Sequence, residues 1–148
     1  MAARGKGPRY YSTTVTTRKR LSTMMELLAE YGAGTYMVEQ SEDGPVAVAF
    51  QMDGLAFRIQ PDVDGLTRRV EKGQERLRTG TTASMVAWAQ ASELLRLQLE
   101  AIASGAGKVS EVLGGYVLTE AGRTVGDMLE ERHAELMPGE HLLLPRGR

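Results

Sequence analysis

The first twenty positions of this 148-residue chain hold six basic residues and no acid: Arg4, Lys6, Arg9, Arg18, Lys19 and Arg20. Tyr10 and Tyr11 stand between the two groups. Cations interleaved with aromatic rings suit single-stranded nucleic acid, charge for its backbone and rings for its bases. Arg18, Lys19 and Arg20 fall in the first turn of the first expected helix, where free backbone N–H groups add to the attraction for phosphate. Cations there oppose the helix dipole, at a cost of about 0.3–1 kcal/mol that a surface tolerates. The competing reading of the tyrosines is packing within a strand, and of the basic arm a solvated tail. A second basic group, Arg68, Arg69, Lys72, Arg76 and Arg78, is mixed with Asp62, Asp64, Glu71 and Glu75. Arg58 falls on the flat face of an expected hairpin, where a phosphate backbone can run. Its competing reading is an ordinary exposed strand residue.

Other chemistry finds little support. His133 and His141 are separated by Pro138 and form no metal-ligand spacing. With no cysteine in the chain, thiolate catalysis, disulfides and Cys-ligated zinc are excluded. Ser104–Lys108, SGAGK, has glycines and a lysine but lacks the spacing and terminal Ser/Thr of a phosphate loop, and it follows a helix. It reads as a helix end. The acid pairs Glu42-Asp43 and Glu130-Glu131 fall in a turn and on a solvated helix face. The expectation is therefore a non-enzymatic protein with no metal and no cofactor.

The elements that position these residues are led by 46–60, VAVAFQMDGLAFRIQ. Asp53-Gly54 suits a two-residue hairpin turn, because both central positions must accept positive φ. That turn sets Met52 opposite Leu55, Phe50 opposite Phe57 and Val48 opposite Ile59, all on one apolar face. The other face, Ala47, Ala49, Gln51, Ala56, Arg58 and Gln60, is small or polar. Upstream, 10–15 favours a first strand by β propensity. Leu21, Met24, Met25, Leu28 and Tyr31 make one stripe of a helix from about Thr17. Residues 35–41 alternate as a strand. Residues 61–80 are either an ordered excursion or a mobile loop. Thr81, Thr82 or Ser84 can cap a long helix running to about Ser104. Residues 109–113 suit one helical turn, and Tyr116–Leu118 a short extended piece. Thr124 and Asp127 resemble a capping box before a last helix bearing Val125, Met128, Leu129 and Leu136. His141–Pro145 suits a docked extended segment.

The expected fold class is α+β: a small antiparallel sheet in β-α-β-β-β-α order, covered on one face by helices, with a helical C-terminal extension. The expected division is a basic flexible arm at 1–9, an α+β core at 10–104 and an extension at 105–148 packed on the core. Hydrophobic content of 42% and charged content of 25% are those of an ordinary globular protein. The eight methionines partly replace scarce aromatics as core filler. No apolar run is long enough to span a membrane and no signal-peptide pattern opens the chain, so no membrane contact is expected and the cytoplasm is the expected location. Residues 81–148 carry six basic and nine acidic residues, giving a basic front and a mildly acidic back. An anionic partner for the front follows from that asymmetry.

The expected element order, with its basic first region, DG hairpin and long helix after a loop, resembles the core of single-strand annealing proteins of the recombination-mediator superfamily, over about residues 10–104. The long helix departs from theirs in carrying Arg96 alone as a basic residue. The chain also looks like a group of small phage and mobile-element proteins with no assigned activity. That likeness is carried by Tyr31-Gly32-Ala33, the VAVAF and LAFRIQP strands, the LQLEAIASG helix end and Gly122-Arg123-Thr124-Val125. The resemblance implies a single-stranded DNA-binding or annealing role in phage or mobile-element recombination. A small sheet with free edges makes a homo-oligomer the expected state. The alternative is a structural or host-interaction protein acting through protein–protein contacts.

Overall fold

The computed structural model describes residues 10–136. It is an α+β fold in which a three-stranded antiparallel sheet carries helices on one face. The strands are β1 (Thr35–Ser41), β2 (Gly44–Met52) and β3 (Leu55–Ile59), in the order β1-β2-β3. Asp53 and Gly54 adopt φ +53° and +75°, as the hairpin turn demands. The pairing follows: Met52 faces Leu55, Phe50 faces Phe57 and Val48 faces Ile59. The Phe50 and Phe57 rings stack with centroids 5.1 Å apart.

Helix α1 (Thr17–Glu30) is capped by Thr16, whose side chain accepts from the Lys19 N–H. Its buried Leu21, Met24 and Leu28 lie on the apolar side of the sheet. Helix α2 (Val63–Glu71) occupies the first half of 61–80. Asp62 caps it through the Gly65 N–H at 2.9 Å. A Cβ on Gly65 would stand 2.0 Å from the Asp62 carboxylate, so the cap in this position needs glycine there. Helix α3 (Ala83–Ala103) is capped by Thr82, which accepts from the Met85 N–H. Trp88, Leu95 and Leu99 from α3 join Met24, Leu28, Val48, Phe50, Phe57 and Ile59 in one core.

Two short helices follow, α4 (Val109–Val112) and α5 (Val125–Glu131). The Thr124–Asp127 capping box forms at the start of α5. Leu113, fully buried, belongs to the same core as the sheet.

Two expectations change. Residues 10–15 form no strand. Tyr10 takes φ +72° in a turn closed by the Thr13 N–H on its carbonyl. Two of the segment's carbonyls are taken by the loop before α3, that of Tyr11 by the Arg78 N–H and that of Thr13 by the Thr81 hydroxyl. The sheet thus lacks the first strand of the expected order. The edge of β3 is instead met by Val117 and Leu118, with Val117 bridging Phe57 and the Leu118 N–H donating to Ala56. Finally, α5 ends at Glu131 and leaves Met128, Leu129 and Leu136 exposed, so its apolar stripe is no part of the core. The 141–145 segment and the 1–9 arm lie outside the described residues.

Candidate nucleic-acid interface

The turn at 10–13 links the start of α1 to the end of α2. Tyr10 lies over the guanidinium of Arg20, whose carbon is 5.0 Å from the ring centroid. Arg20 also reaches the Thr13 hydroxyl at 3.5 Å, and its Nε is shut away from solvent without a hydrogen-bond partner. Tyr11 points its hydroxyl at Glu75 and Arg69. Burial raises the Tyr11 pKa and the Glu75 carboxylate pushes it the same way, while the Arg69 charge opposes both. The main chain adds the Arg78 N–H bond to Tyr11. The hydroxyls of Thr17 and Ser84, 3.0 Å apart, bring the first turns of α1 and α3 together at this end of the molecule.

This geometry gathers residues that the sequence spreads over sixty positions. Arg20, Arg69 and Arg78 share the 10–13 turn as a neighbour. Arg18 and Lys19 extend from the first turn of α1, and Arg68 and Lys72 from the last turn of α2 and its cap. Arg76 and Arg78 line a shallow groove with Val70, Leu77 and Thr81. Among the described residues, Arg18, Lys19, Arg68, Lys72, Arg76 and Arg78 make no salt bridge or side-chain hydrogen bond, and all six are exposed. The neighbouring acids are Asp62, spent on capping α2, and Asp64, Glu71 and Glu75. Unpaired cations held on a fixed frame make a surface for a polyanion. Arg4, Lys6 and Arg9 lie outside the described residues.

Arg58 is not part of this cluster. Its neighbours Phe57 and Ile59 enter the core, so strand alternation sends Arg58 to the face away from α1 and α3. There its Nε meets the Glu39 carboxylate at 2.7 Å and its Nη1 donates to Gln60. Arg96 of α3 is likewise engaged, by Glu93 and Glu100.

A cleft of about 620 Å³ on the Arg58 side was not foreseen from sequence. It opens between the β1–β2 turn, the start of α2 and the start of α5, and its wall includes Asp43, Asp62, Asp64, Tyr116 and Asp127. Asp62 and Asp127 hold helix caps. With four carboxylates against one paired arginine, this cleft repels phosphate. Its members come from distant segments, so nothing local in the sequence marks it. Among the described residues, no group of three or more metal-ligating side chains occurs, and no helix is long and apolar enough to cross a membrane.

No family model, curated protein or solved structure matches this chain.

Proposed function

We propose that this protein binds nucleic acid without catalysing a reaction, capturing backbone phosphates on the basic face built from the 10–20 segment, α2 and the loop to α3. The observation that carries this reading is the Tyr11 anchor. With its hydroxyl beside Glu75 and Arg69 and its carbonyl accepting from the Arg78 N–H, it sets the end of α2 and the loop after it against the start of α1. Six exposed and unpaired cations then share one end of the fold. The biological role that fits a non-enzymatic binder of this kind is single-strand binding or annealing in phage or mobile-element recombination.

A protein-binding role has its own support in the outer edge of β1, which no strand among the described residues covers. That edge carries Tyr36 at 42% and Met37 at 58% exposure, and such an edge accepts a further strand. The same edge is the route by which copies of the chain would join into an oligomer.

Salt dependence separates the two roles. Binding of a labelled single-stranded oligonucleotide, followed by anisotropy, weakens linearly in log K against log salt, with a slope of roughly −4 if about six phosphates are neutralised. Arg18→Glu with Lys72→Glu abolishes that binding and leaves thermal unfolding nearly unchanged. No binding at low salt, or an affinity indifferent to the charge reversal, sinks the nucleic-acid reading.

A further inference from the structure

The two adjacent tyrosines are placed for different work. Tyr11 is turned into the fold, its hydroxyl beside Glu75 and Arg69 and its carbonyl accepting from the Arg78 N–H. Tyr10 makes no side-chain hydrogen bond among the described residues, and its one recorded ring contact is with Arg20. The ring is partly exposed and stands on a turn pinned at its far end by Thr81. It is therefore a fixed surface, with a cation behind it that shares the first turn of α1 with Arg18 and Lys19.

Two details argue that this arrangement is more than packing. At φ +72°, Tyr10 holds a left-handed conformation that suits glycine and disfavours a bulky side chain. Packing gives little in return, since the ring covers no member of the hydrophobic core. Arg20, for its part, is poorly placed for phosphate, because it is half-buried with its Nε shut away and its guanidinium held by the ring and Thr13. A guanidinium seated on one face of an aromatic ring fixes the ring's orientation and leaves its other face to accept a second flat group. On a basic surface, the flat group that accompanies phosphate is a nucleobase.

We infer that the Tyr10 ring, backed by Arg20, is the stacking platform for one unpaired nucleobase, and that it gives the basic face its preference for single strands. This inference rests on the nucleic-acid reading above and adds to it the part of the ligand that is recognised. A duplex buries its base faces in its own stack and can offer only phosphates to Arg18, Lys19 and α2. A single strand offers both. Arg20 acts through the ring as a positioning residue, and Tyr10 touches the ligand.

The test uses the full chain and three labelled probes of equal length: a single-stranded oligothymidylate, a duplex, and an oligonucleotide whose central tract is abasic. The wild type binds the single strand more tightly than either other probe. Tyr10→Ala weakens single-strand binding by roughly 5- to 150-fold, the range for loss of one stacked base. It leaves the abasic and duplex affinities unchanged, and Tyr10→Phe restores the single-strand affinity. Tyr10→Gly, which relieves the backbone strain, raises the melting temperature while losing the same affinity, a pairing that a purely structural tyrosine would not give. Equal loss on all three probes, or no loss on any, overturns the platform and leaves the phosphate reading standing. Failure of the wild type to bind any probe removes both.

Discussion

The Nε of Arg58 donates to the Glu39 carboxylate across the exposed side of the sheet at 2.7 Å, joining β3 to β1 over the top of β2. The charge of Arg58 is met within the fold and lies away from the α1–α2 cations. Arg58→Ala is therefore expected to leave oligonucleotide affinity within about twofold. It should cost ~0–1 kcal/mol of stability, as befits a partly exposed pair. Denaturant unfolding and anisotropy on the same variant check both halves, and a tenfold loss of affinity would put Arg58 back in the interface.

Alkaline pH should loosen the basic face. The Tyr11 pKa is raised above its ordinary value of 10.0, first by burial and then by Glu75. The folded state therefore holds the hydroxyl proton more tightly than the unfolded chain. The stability that Tyr11 contributes is full below its unfolded value and is lost as pH climbs through its folded one. Melting temperature should fall from about pH 10 upward. Tyr11→Phe removes that component of the fall, and a pH profile unchanged by the substitution refutes the assignment.

Trp88 reports on the core. It is the chain's single tryptophan, it is fully buried, and it shares a core with Phe57 and Leu95. Its emission should be blue-shifted in the native state and move red on unfolding. Trp88→Ala should cost ~3–5 kcal/mol. Its indole N–H has no partner, so Trp88→Phe removes an unsatisfied donor along with some volume and should cost well under half as much as the alanine variant. Native fluorescence already at the solvent-exposed wavelength would show α3 to be misplaced.

Self-association should run through β1. TYMVEQS contains no lysine, arginine or proline, and its lone charge, Glu39, is already paired. Little therefore guards the edge against a second copy. Light scattering at micromolar concentration should give a mass above the monomer's 16.1 kDa, and Met37→Lys with Tyr36→Lys should return it to the monomer. A wild type that is monomeric while binding oligonucleotide normally would separate assembly from function.

Much of the frame was readable because its signals are local. Asp53-Gly54 dictates both the turn and, through period-two alternation, every partner in the hairpin. Thr82 and Thr124 announce their helices by cap chemistry, and the α1 stripe buries Leu21, Met24 and Leu28 at the expected spacing. What escaped is non-local. Tyr10–Val15 has strand propensity, but its backbone groups are claimed by Arg78 and Thr81, more than sixty residues away. Helix α2 is short and polar, and its strongest marker, the Asp62–Gly65 cap, looks like ordinary turn composition until the geometry is seen. The basic residues of the candidate interface were visible one by one. Their union through Tyr11 was not, because a tyrosine hydroxyl carries no sequence mark of the partners it will find.

The docking of Val117 and Leu118 beside β3 has a consequence for synthesis. A nascent chain can close the hairpin once Ile59 has emerged, but the outer edge of β3 stays bare until almost sixty further residues have followed. Leu113, which completes the apolar core, arrives in the same interval. During that wait both margins of the sheet are adhesive. A ribosome pausing in the α3–α4 region would hold the protein in its most aggregation-prone form.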